Sequence, residues 1–268
     1  MTDLLIELLS LLRTPCDVPM AWGTYHIFCI IIAVAMSVVL VKLFANCSEA
    51  TARVLALVFW LIMASLELLK QFSSSASVAG GEIIFSYNWQ NIPFQFCSTP
   101  LYILPLVVVL KDGKVRDAAI MFLISFSAVA GITVFLTPET VYSTSAFLNV
   151  QTMVHHGIQI FFGIYLAFRY KRKMTFKNFL GCTLMFLILS GVAFYLNIWI
   201  YKNHGCIVDL FFISPYNRYI PPVLKGMGIE NLRYEEFLTG FLGGFIALSG
   251  IFTLIMKGFT LIGKNESK

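Results

Sequence analysis

Charged residues are scarce in this sequence, and their scarcity excludes a water-soluble domain. Asp, Glu, Lys and Arg make up 12% of its 268 residues, whereas 58% are hydrophobic and 25 are Phe. So few charges cannot cover a surface that faces water. The six Cys residues show no CxxC pair and no metal-ligand spacing, which indicates neither a disulfide framework nor a zinc ribbon. The composition therefore predicts an integral membrane protein.

Apolar runs of membrane-spanning length recur along the chain and predict an all-α fold. The first 13 residues place Asp3, Glu7 and Ser10 on one helical face and lack the basic start of a signal peptide, which favours an interfacial helix. The apolar run within residues 202–236 is too short to span a membrane, yet the segment is too apolar for a free loop. This combination favours a partly re-entrant cap. We predict a single transmembrane domain over residues 1–268, a seven-helix bundle with spans near 25–44, 53–70, 93–110, 118–136, 146–168, 179–201 and 237–256.

The basic residues predict how this bundle is oriented. Most of the 19 Lys and Arg residues fall in the loops on one side, with the densest group at 169–173, whereas the loop at 137–145 has none. Because basic loops stay in the cytoplasm, we predict a multi-pass protein of the cell membrane with its N-terminus outside and its C-terminus cytoplasmic. The net charge of +5 is then explained by the basic loops that orient the protein in the membrane. We therefore expect no nucleic-acid partner.

The start of the third apolar run contains a candidate nucleophile. The segment reads Asn91-Ile-Pro-Phe-Gln-Phe-Cys97, in which Asn91 can cap a helix and Pro93 fits its first turn. The positive end of that helix would favour a thiolate at Cys97. The alternative is that Cys97 is one more small buried hydrophobe.

The predicted orientation places a set of polar residues at the outer level of five spans. Glu67 and Lys70 are spaced as an i, i+3 ion pair, which in the simplest interpretation only orients the second span. Intramembrane polar groups face the bundle interior or a wet cavity, so we predict one pocket that binds substrate head groups. Its predicted binding residues are His26, Glu67, Lys70, Gln95, Asn149, Gln151 and Asn197.

The fifth span carries two adjacent histidines, His155 and His156, on a polar stripe with Gln151, Thr152 and Gln159. A Cys and a His at comparable depth suggest a nucleophile with its general base, and His155 lies nearer the middle of the stripe. The alternative is that the stripe supplies hydrogen bonds between helices. We take Cys97, His155 and His156 as the candidate catalytic residues.

Several short motifs resemble one family of membrane proteins. They are Trp22-Gly-Thr-Tyr-His26, the Glu67 to Lys70 spacing, Pro93-Phe-Gln-Phe-Cys97, His155-His156-Gly157 and Phe211-Phe-Ile-Ser-Pro215-Tyr. They are similar to the YwaF-type bacterial integral membrane proteins, which are related to the transmembrane-protein-164 lipid acyltransferases. The resemblance implies an enzyme that moves fatty acyl chains between phospholipids or lysophospholipids with a Cys and a His, here Cys97 and the His155–His156 pair, without a cofactor.

Three other functions stay open. A transporter or ligand-binding protein could use the same polar pocket, although transporter sites tend to lie at the midplane between repeats. A metal could be held by His26, Glu67, Cys97, His155 and His156, since imidazole and thiolate suit zinc, although we expect no resident metal. A more distant resemblance to threonine–histidine lipid hydrolases makes Thr99 the hydroxyl to consider.

The charge asymmetry makes a direct topological prediction. Cysteines introduced at Lys171 and at Pro138 should react with a membrane-impermeant thiol reagent from opposite sides, because the two loops are separated by one span. Labelling of intact cells before and after permeabilisation measures this. Labelling of both positions from the same side would contradict the predicted topology.

Overall fold

Helices account for most of the described residues in the computed structural model, which describes residues 2–217 and 231–262. One antiparallel hairpin, β1 (Ala76–Ala79) with β2 (Glu82–Phe85), interrupts them. A π-helical segment, Leu123–Ser127, joins α5 to α6 without a break. The helices are α1 Thr2–Leu12, α2 Thr24–Phe44, α3 Glu49–Ser75, α4 Pro100–Val109, α5 Lys114–Phe122, α6 Ala128–Leu136, α7 Ala146–Arg169, α8 Phe176–His204 and α9 Tyr234–Ile262.

Among the described residues, five helical units are long and apolar enough to cross a membrane: α2, α3, the continuous α5–α6 unit, α8 and α9. The fold is thus the predicted all-α membrane architecture in its broad form. The fifth apolar run forms α7, which has 24 residues and extends about 36 Å but carries more polar side chains. The third run forms only a short helix.

The α5–α6 unit lies at the centre of the bundle. In its most apolar stretch 78% of the residues are buried, against 28% or fewer in the other four spanning units. A helix that is apolar all round is buried on every side, whereas the outer helices leave one face for lipid. Helix α7 lies alongside α6, with α2 and α3 against α7 and α8 against α5.

Two glycines let α7 approach this central unit closely. A Cβ atom on Gly131 would lie 2.7 Å from the His156 carbonyl oxygen, and one on Gly163 would lie 2.8 Å from the Leu123 carbonyl oxygen. No other residue fits such separations without displacing backbone. The close approach places the histidine-bearing part of α7 directly against α6.

The third predicted span begins later than the sequence pattern indicated. Helix α4 starts at Pro100 rather than Pro93, because residues 89–98 form two 3₁₀ turns, Trp89–Asn91 and Phe96–Ser98. The side chain of Asn88, and not that of Asn91, caps the first of these turns. Proline suits the first turn of a helix at position 100 as well as at position 93, so the sequence alone did not distinguish the two starts.

Side chains from neighbouring helices satisfy the backbone of the short α4. Pro105 has no N–H, so the Leu101 carbonyl loses its usual partner four residues on, and the Trp60 indole N–H donates to it instead at 2.9 Å. At the other end Arg116 donates to the Val107 carbonyl at 3.0 Å. Buried backbone groups without such donors would each be costly in lipid.

An ionic cluster joins the helix ends at the side of the bundle that carries the basic loops. Arg116 is almost fully buried and donates to Glu49 and, at 2.6 Å, to Asp112. Tyr170 also donates to Glu49, at 2.9 Å, and burial raises the pKa of its hydroxyl. A hydrogen bond from Lys173 holds the pKa of Asp112 below its usual range. The cluster fixes α3, α5 and the α7–α8 loop to one another.

The N-terminal helix is attached at the opposite side of the bundle. Leu9 and Leu12 are its buried residues, and Arg13 donates to the Ser73 carbonyl at 2.6 Å and 2.9 Å. A cation on the last carbonyls of α3 complements the negative end of that helix. Residues 82–91, which follow the hairpin turn, supply strand β2 and the first 3₁₀ turn.

The predicted cap at residues 202–236 is described in part. Its early portion contains a 3₁₀ turn, Leu210–Phe212, with Leu210, Phe211 and Ile213 buried. Phe211 and Phe212 both have positive φ, at 60° and 59°, which is costly for a bulky residue. Residues 218–230 of the predicted cap lie outside the described residues.

The hydrogen bond from Trp60 to the carbonyl that Pro105 leaves free can be tested by a double substitution. Trp60→Phe should lower the free energy of unfolding by about 1–3 kcal/mol, because it leaves the Leu101 carbonyl unsatisfied. Pro105→Ala supplies a backbone N–H to the same carbonyl, so it should recover part of that loss in the Trp60→Phe background. Thermal unfolding in detergent measures both, and additive losses would contradict the interpretation.

Candidate functional site

Cys97 lies in the 3₁₀ turn Phe96–Ser98, directly before α4. Its side chain is partly buried. The Gln159 side-chain amide donates to the Cys97 carbonyl at 2.7 Å, and this bond attaches the turn to α7. The irregular segment that bears the thiol is therefore fixed to the helix that bears the histidines.

The two histidines of α7 are buried, and each has one ring nitrogen paired with a carbonyl. His155 Nε2 lies 3.0 Å from the Met63 carbonyl oxygen of α3, and His156 Nδ1 lies 2.7 Å from the Thr152 carbonyl oxygen of its own helix. A carbonyl can only accept, so these nitrogens carry the protons of the neutral rings. The lone pairs then belong to His155 Nδ1 and His156 Nε2.

His156 Nε2 is buried and has no hydrogen-bond partner among the described residues. A buried acceptor without a partner is uncommon in native structures and calls for a physical explanation. His155 lies on the stripe of α7 that also carries Gln159, whereas His156 lies between Met153 and Ile160, which pack with Phe135 of α6. The adjacent rings therefore face different surroundings.

Glu67 of α3 is buried and organises the polar groups next to the thiol. Lys70 Nζ lies 3.1 Å from its carboxylate, and the Gln71 amide donates to it at 2.7 Å. Gln71 also donates to the Asn91 carbonyl at 2.6 Å, so it links this carboxylate to the loop that leads to Cys97. Hydrogen bonds and a cation together offset the cost of burying the carboxylate.

The thiol and both imidazoles lie within electrostatic range of this ion pair. Cys97 and His155 each interact with the charges of Glu67 and Lys70, and His156 interacts with the charge of Lys70. Five of the residues singled out from the sequence thus form one group, which we call the thiol–histidine cluster: Glu67, Lys70, Cys97, His155 and His156. A thiol, two neutral bases and a cation are the groups that nucleophilic acyl transfer uses.

Other predicted site residues hold local structure. Asn149 accepts from the Ser143 N–H and donates to the Ser143 carbonyl, both at 2.9 Å, and so closes the loop before α7. Asn197 makes the same two-way contact with Leu210, at 2.9 and 3.1 Å. His26 packs against Trp22, with ring centroids 5.0 Å apart, and accepts a hydrogen bond from the Trp22 N–H.

The remaining residues considered from the sequence lie next to Cys97 or on α7. Their contacts do not identify a role in substrate binding. Gln95 precedes the 3₁₀ turn and makes no capping bond. Gln151 is buried in the first part of α7. The Thr99 hydroxyl donates to the Phe96 carbonyl at 2.8 Å, so it is occupied within the turn. In the described part of the chain no three His, Cys, Asp or Glu side chains gather as a metal site.

Two contacts of the cluster could not be found from the sequence. The sequence places Gln159 on the polar stripe of the fifth span. The acceptor of its hydrogen bond is the Cys97 backbone carbonyl, which lies in a segment without regular periodicity. The Met63 carbonyl, which orients His155, has no signal in the sequence because every residue carries a carbonyl.

These features define a class: a polytopic helical membrane protein with a group of buried ionisable side chains inside the bundle, beside an irregular turn. Residues 21–229 match the model of the TMEM164 family. The chain therefore belongs to the TMEM164 family. No curated protein and no solved structure matches it.

The ion pair in the cluster makes a testable prediction. Glu67→Gln should cost about 3 kcal/mol of unfolding free energy, because it leaves the half-buried Lys70 ammonium without a carboxylate. Lys70→Met should also lower the free energy of unfolding, because it leaves the buried Glu67 carboxylate without a cation. The double variant should lose less than the sum of the two, as measured by denaturant titration in micelles. Additive losses would show that the two charges do not stabilise each other.

Proposed function

We propose that this protein is a membrane-embedded lipid acyltransferase that moves a fatty acyl chain between phospholipids or lysophospholipids through a thioester on Cys97. The observation that carries the proposal is the bond from Gln159 to the Cys97 carbonyl, which holds the thiol-bearing turn on the same helix as His155. Membership of the TMEM164 family and the similarity to lipid acyltransferases in its motifs support the same chemistry.

In the first half-reaction the Cys97 sulfur attacks the ester carbonyl of a phospholipid. The C–S bond forms, the ester C–O bond breaks, and His155 Nδ1 carries the thiol proton to the departing lysolipid oxygen. The Met63 carbonyl, 3.0 Å from His155 Nε2, favours the tautomer in which Nδ1 can act as the base. The Lys70 cation stabilises the negative charge that develops on the carbonyl oxygen.

In the second half-reaction a lysolipid hydroxyl attacks the thioester. His155 takes the hydroxyl proton and returns it to the Cys97 sulfur, so the enzyme is regenerated. Transfer exceeds hydrolysis only if water is kept from the thioester. The Phe211 ring of the cap segment lies 5.1 Å from the Phe96 ring, next to Cys97, and this contact supports such a role for the cap.

The remaining site predictions are part of the proposal. We assign head-group binding to the outer-level residues Gln95, Glu67, Lys70, Gln151 and His26, with Asn149 and Asn197 shaping the entrance through the loops they hold. His156 is the alternative base, since its Nε2 is buried and unpaired among the described residues. A relationship to the YwaF-type proteins, suggested by the short motifs, is also part of this proposal.

We further propose that the protein crosses the cell membrane seven times. Helix α7 and the segment formed by the 3₁₀ turns with α4 would supply the two crossings beyond the five long apolar units. Non-helical backbone at membrane depth is tolerated where it is buried in protein, and the carbonyl contacts around α4 meet that condition. The N-terminus then lies outside, the C-terminus lies in the cytoplasm, and residues 202–236 form a partly re-entrant cap.

Intact mass spectrometry tests the covalent step. Purified protein incubated with a defined phospholipid should gain the mass of one acyl chain, and Cys97→Ala should gain none. Addition of a lysophospholipid of a different chain length should discharge the adduct and yield the mixed phospholipid. If Cys97→Ala transferred acyl chains at the parent rate, Cys97 would not be the nucleophile; release of free fatty acid instead would indicate a hydrolase.

Matched histidine substitutions identify the base. His155→Gln should lower the rate of acyl transfer roughly 100- to 10,000-fold, the usual effect of losing one general acid–base group. His204→Gln is the control, because His204 is exposed and stacks on Trp89 at a ring distance of 3.9 Å. A larger loss in His156→Gln than in His155→Gln would reassign the base to His156.

A further inference from the structure

A small cavity lies beside the Gln159 side chain, between α4, the π-helical segment and α7. Its volume is about 10 Å³, and Pro100, Leu104, Ser127, Gln159 and Phe162 are among the residues that line it. That volume is close to what one ordered water requires. The walls are mostly apolar side chains, so the polar atoms that reach the cavity are few.

Two residues that line the cavity each have a side-chain atom that is buried without a partner in the described structure: Gln159 Oε1 and Ser127 Oγ. Gln159 and Ser127 are 3% and 1% exposed. An amide oxygen needs a donor, and the adjoining Pro100 has no N–H to offer. Leaving either atom unsatisfied would carry the desolvation penalty of a buried polar group.

The local backbone explains why Ser127 reaches this position. Ser127 ends the π-helical segment Leu123–Ser127, and such bulges change the direction of the side chains that follow them. Gly163 lets α7 lie against the start of the same segment, with its Cβ position 2.8 Å from the Leu123 carbonyl oxygen. The bulge and the glycine together bring the serine and the glutamine to one cavity.

We propose that one buried water occupies this cavity, donates to Gln159 Oε1 and pairs with Ser127 Oγ, and that Gln159 is thereby a positioning residue for Cys97. An amide whose oxygen is held by the water keeps its NH₂ group directed at the Cys97 carbonyl, 2.7 Å away. Ser127 acts on the thiol through the water and Gln159, without touching it. The inference rests on the proposed role of Cys97 as the reactive thiol.

The consequence is measurable without any lipid substrate. If the amide turns away, the 3₁₀ turn is released from α7, and the thiol loses its fixed distance from Lys70 and the histidines. Alkylation of Cys97 by a small membrane-permeant reagent should then slow by roughly three- to tenfold, the size expected for one lost hydrogen bond. Because the assay uses a thiol reagent, its result does not depend on whether the protein transfers acyl chains.

The experiment compares Gln159→Leu, Ser127→Ala and their combination, with labelling of Cys97 quantified by peptide mass spectrometry across a range of pH. Labelling of Cys206 in the same sample reports whether each variant is folded. Ser249→Ala is the matched control, because Ser249 is an equally buried serine on α9 whose Oγ has no partner in the described structure and which does not line the cavity.

We expect Gln159→Leu and Ser127→Ala to slow Cys97 labelling alike, the double variant to be no slower than Gln159→Leu, and Ser249→Ala to match the parent. A structure of the parent at high resolution should show density for one water between Ser127 and Gln159. A Ser127→Ala variant that labels at the Ser249→Ala rate, or an empty cavity in that structure, would overturn the water bridge. A Gln159→Leu variant that labels at the parent rate would overturn the positioning role.

Discussion

A carbonyl freed inside a membrane has no water to pair with, so the protein itself must supply a donor. In this chain that requirement is concentrated at α4 and the turn before it. The carbonyls of Cys97, Leu101, Val107 and Val108 accept from Gln159, Trp60, Arg116 and Arg53. These donors come from three helices, α3, α5 and α7, so satisfying the backbone of α4 also sets where it lies between them.

The same contacts account for how an irregular turn can carry a candidate nucleophile. A 3₁₀ turn has poorer hydrogen-bond geometry than an α-helix and would be mobile if nothing held it. Gln159 holds the Cys97 carbonyl, and Gln71 holds the Asn91 carbonyl while also binding Glu67. The hydrogen bonds from Gln159 and Gln71 to backbone carbonyls therefore fix the segment that carries the thiol. The ion pair of Glu67 with Lys70 supplies charge next to it.

The buried polar groups are satisfied to different degrees in two parts of the bundle. At the end with the basic loops, Arg116, Glu49 and Tyr170 form a closed cluster that joins helix ends and leaves Arg116 almost fully buried. Near the middle of α7, His156 Nε2 and Gln159 Oε1 are buried without partners among the described residues. Satisfied networks rigidify a fold, whereas unpaired buried atoms mark places where a water or ligand can bind.

The sequence by itself determined the class of fold, because repeated apolar runs of spanning length are compatible only with a membrane bundle. It also singled out Glu67, His155 and His156 as ionisable groups within apolar runs, which is where a functional site is expected. The apolar run at residues 146–168 coincides with α7, which ends at Arg169. The sequence did not determine where α4 begins, that α5 and α6 join through a π-helical segment, or that Asn149 and Asn197 bind loop backbone. Those features depend on which carbonyls are left unpaired once the helices pack, and that is decided only by tertiary contacts between residues far apart in the chain.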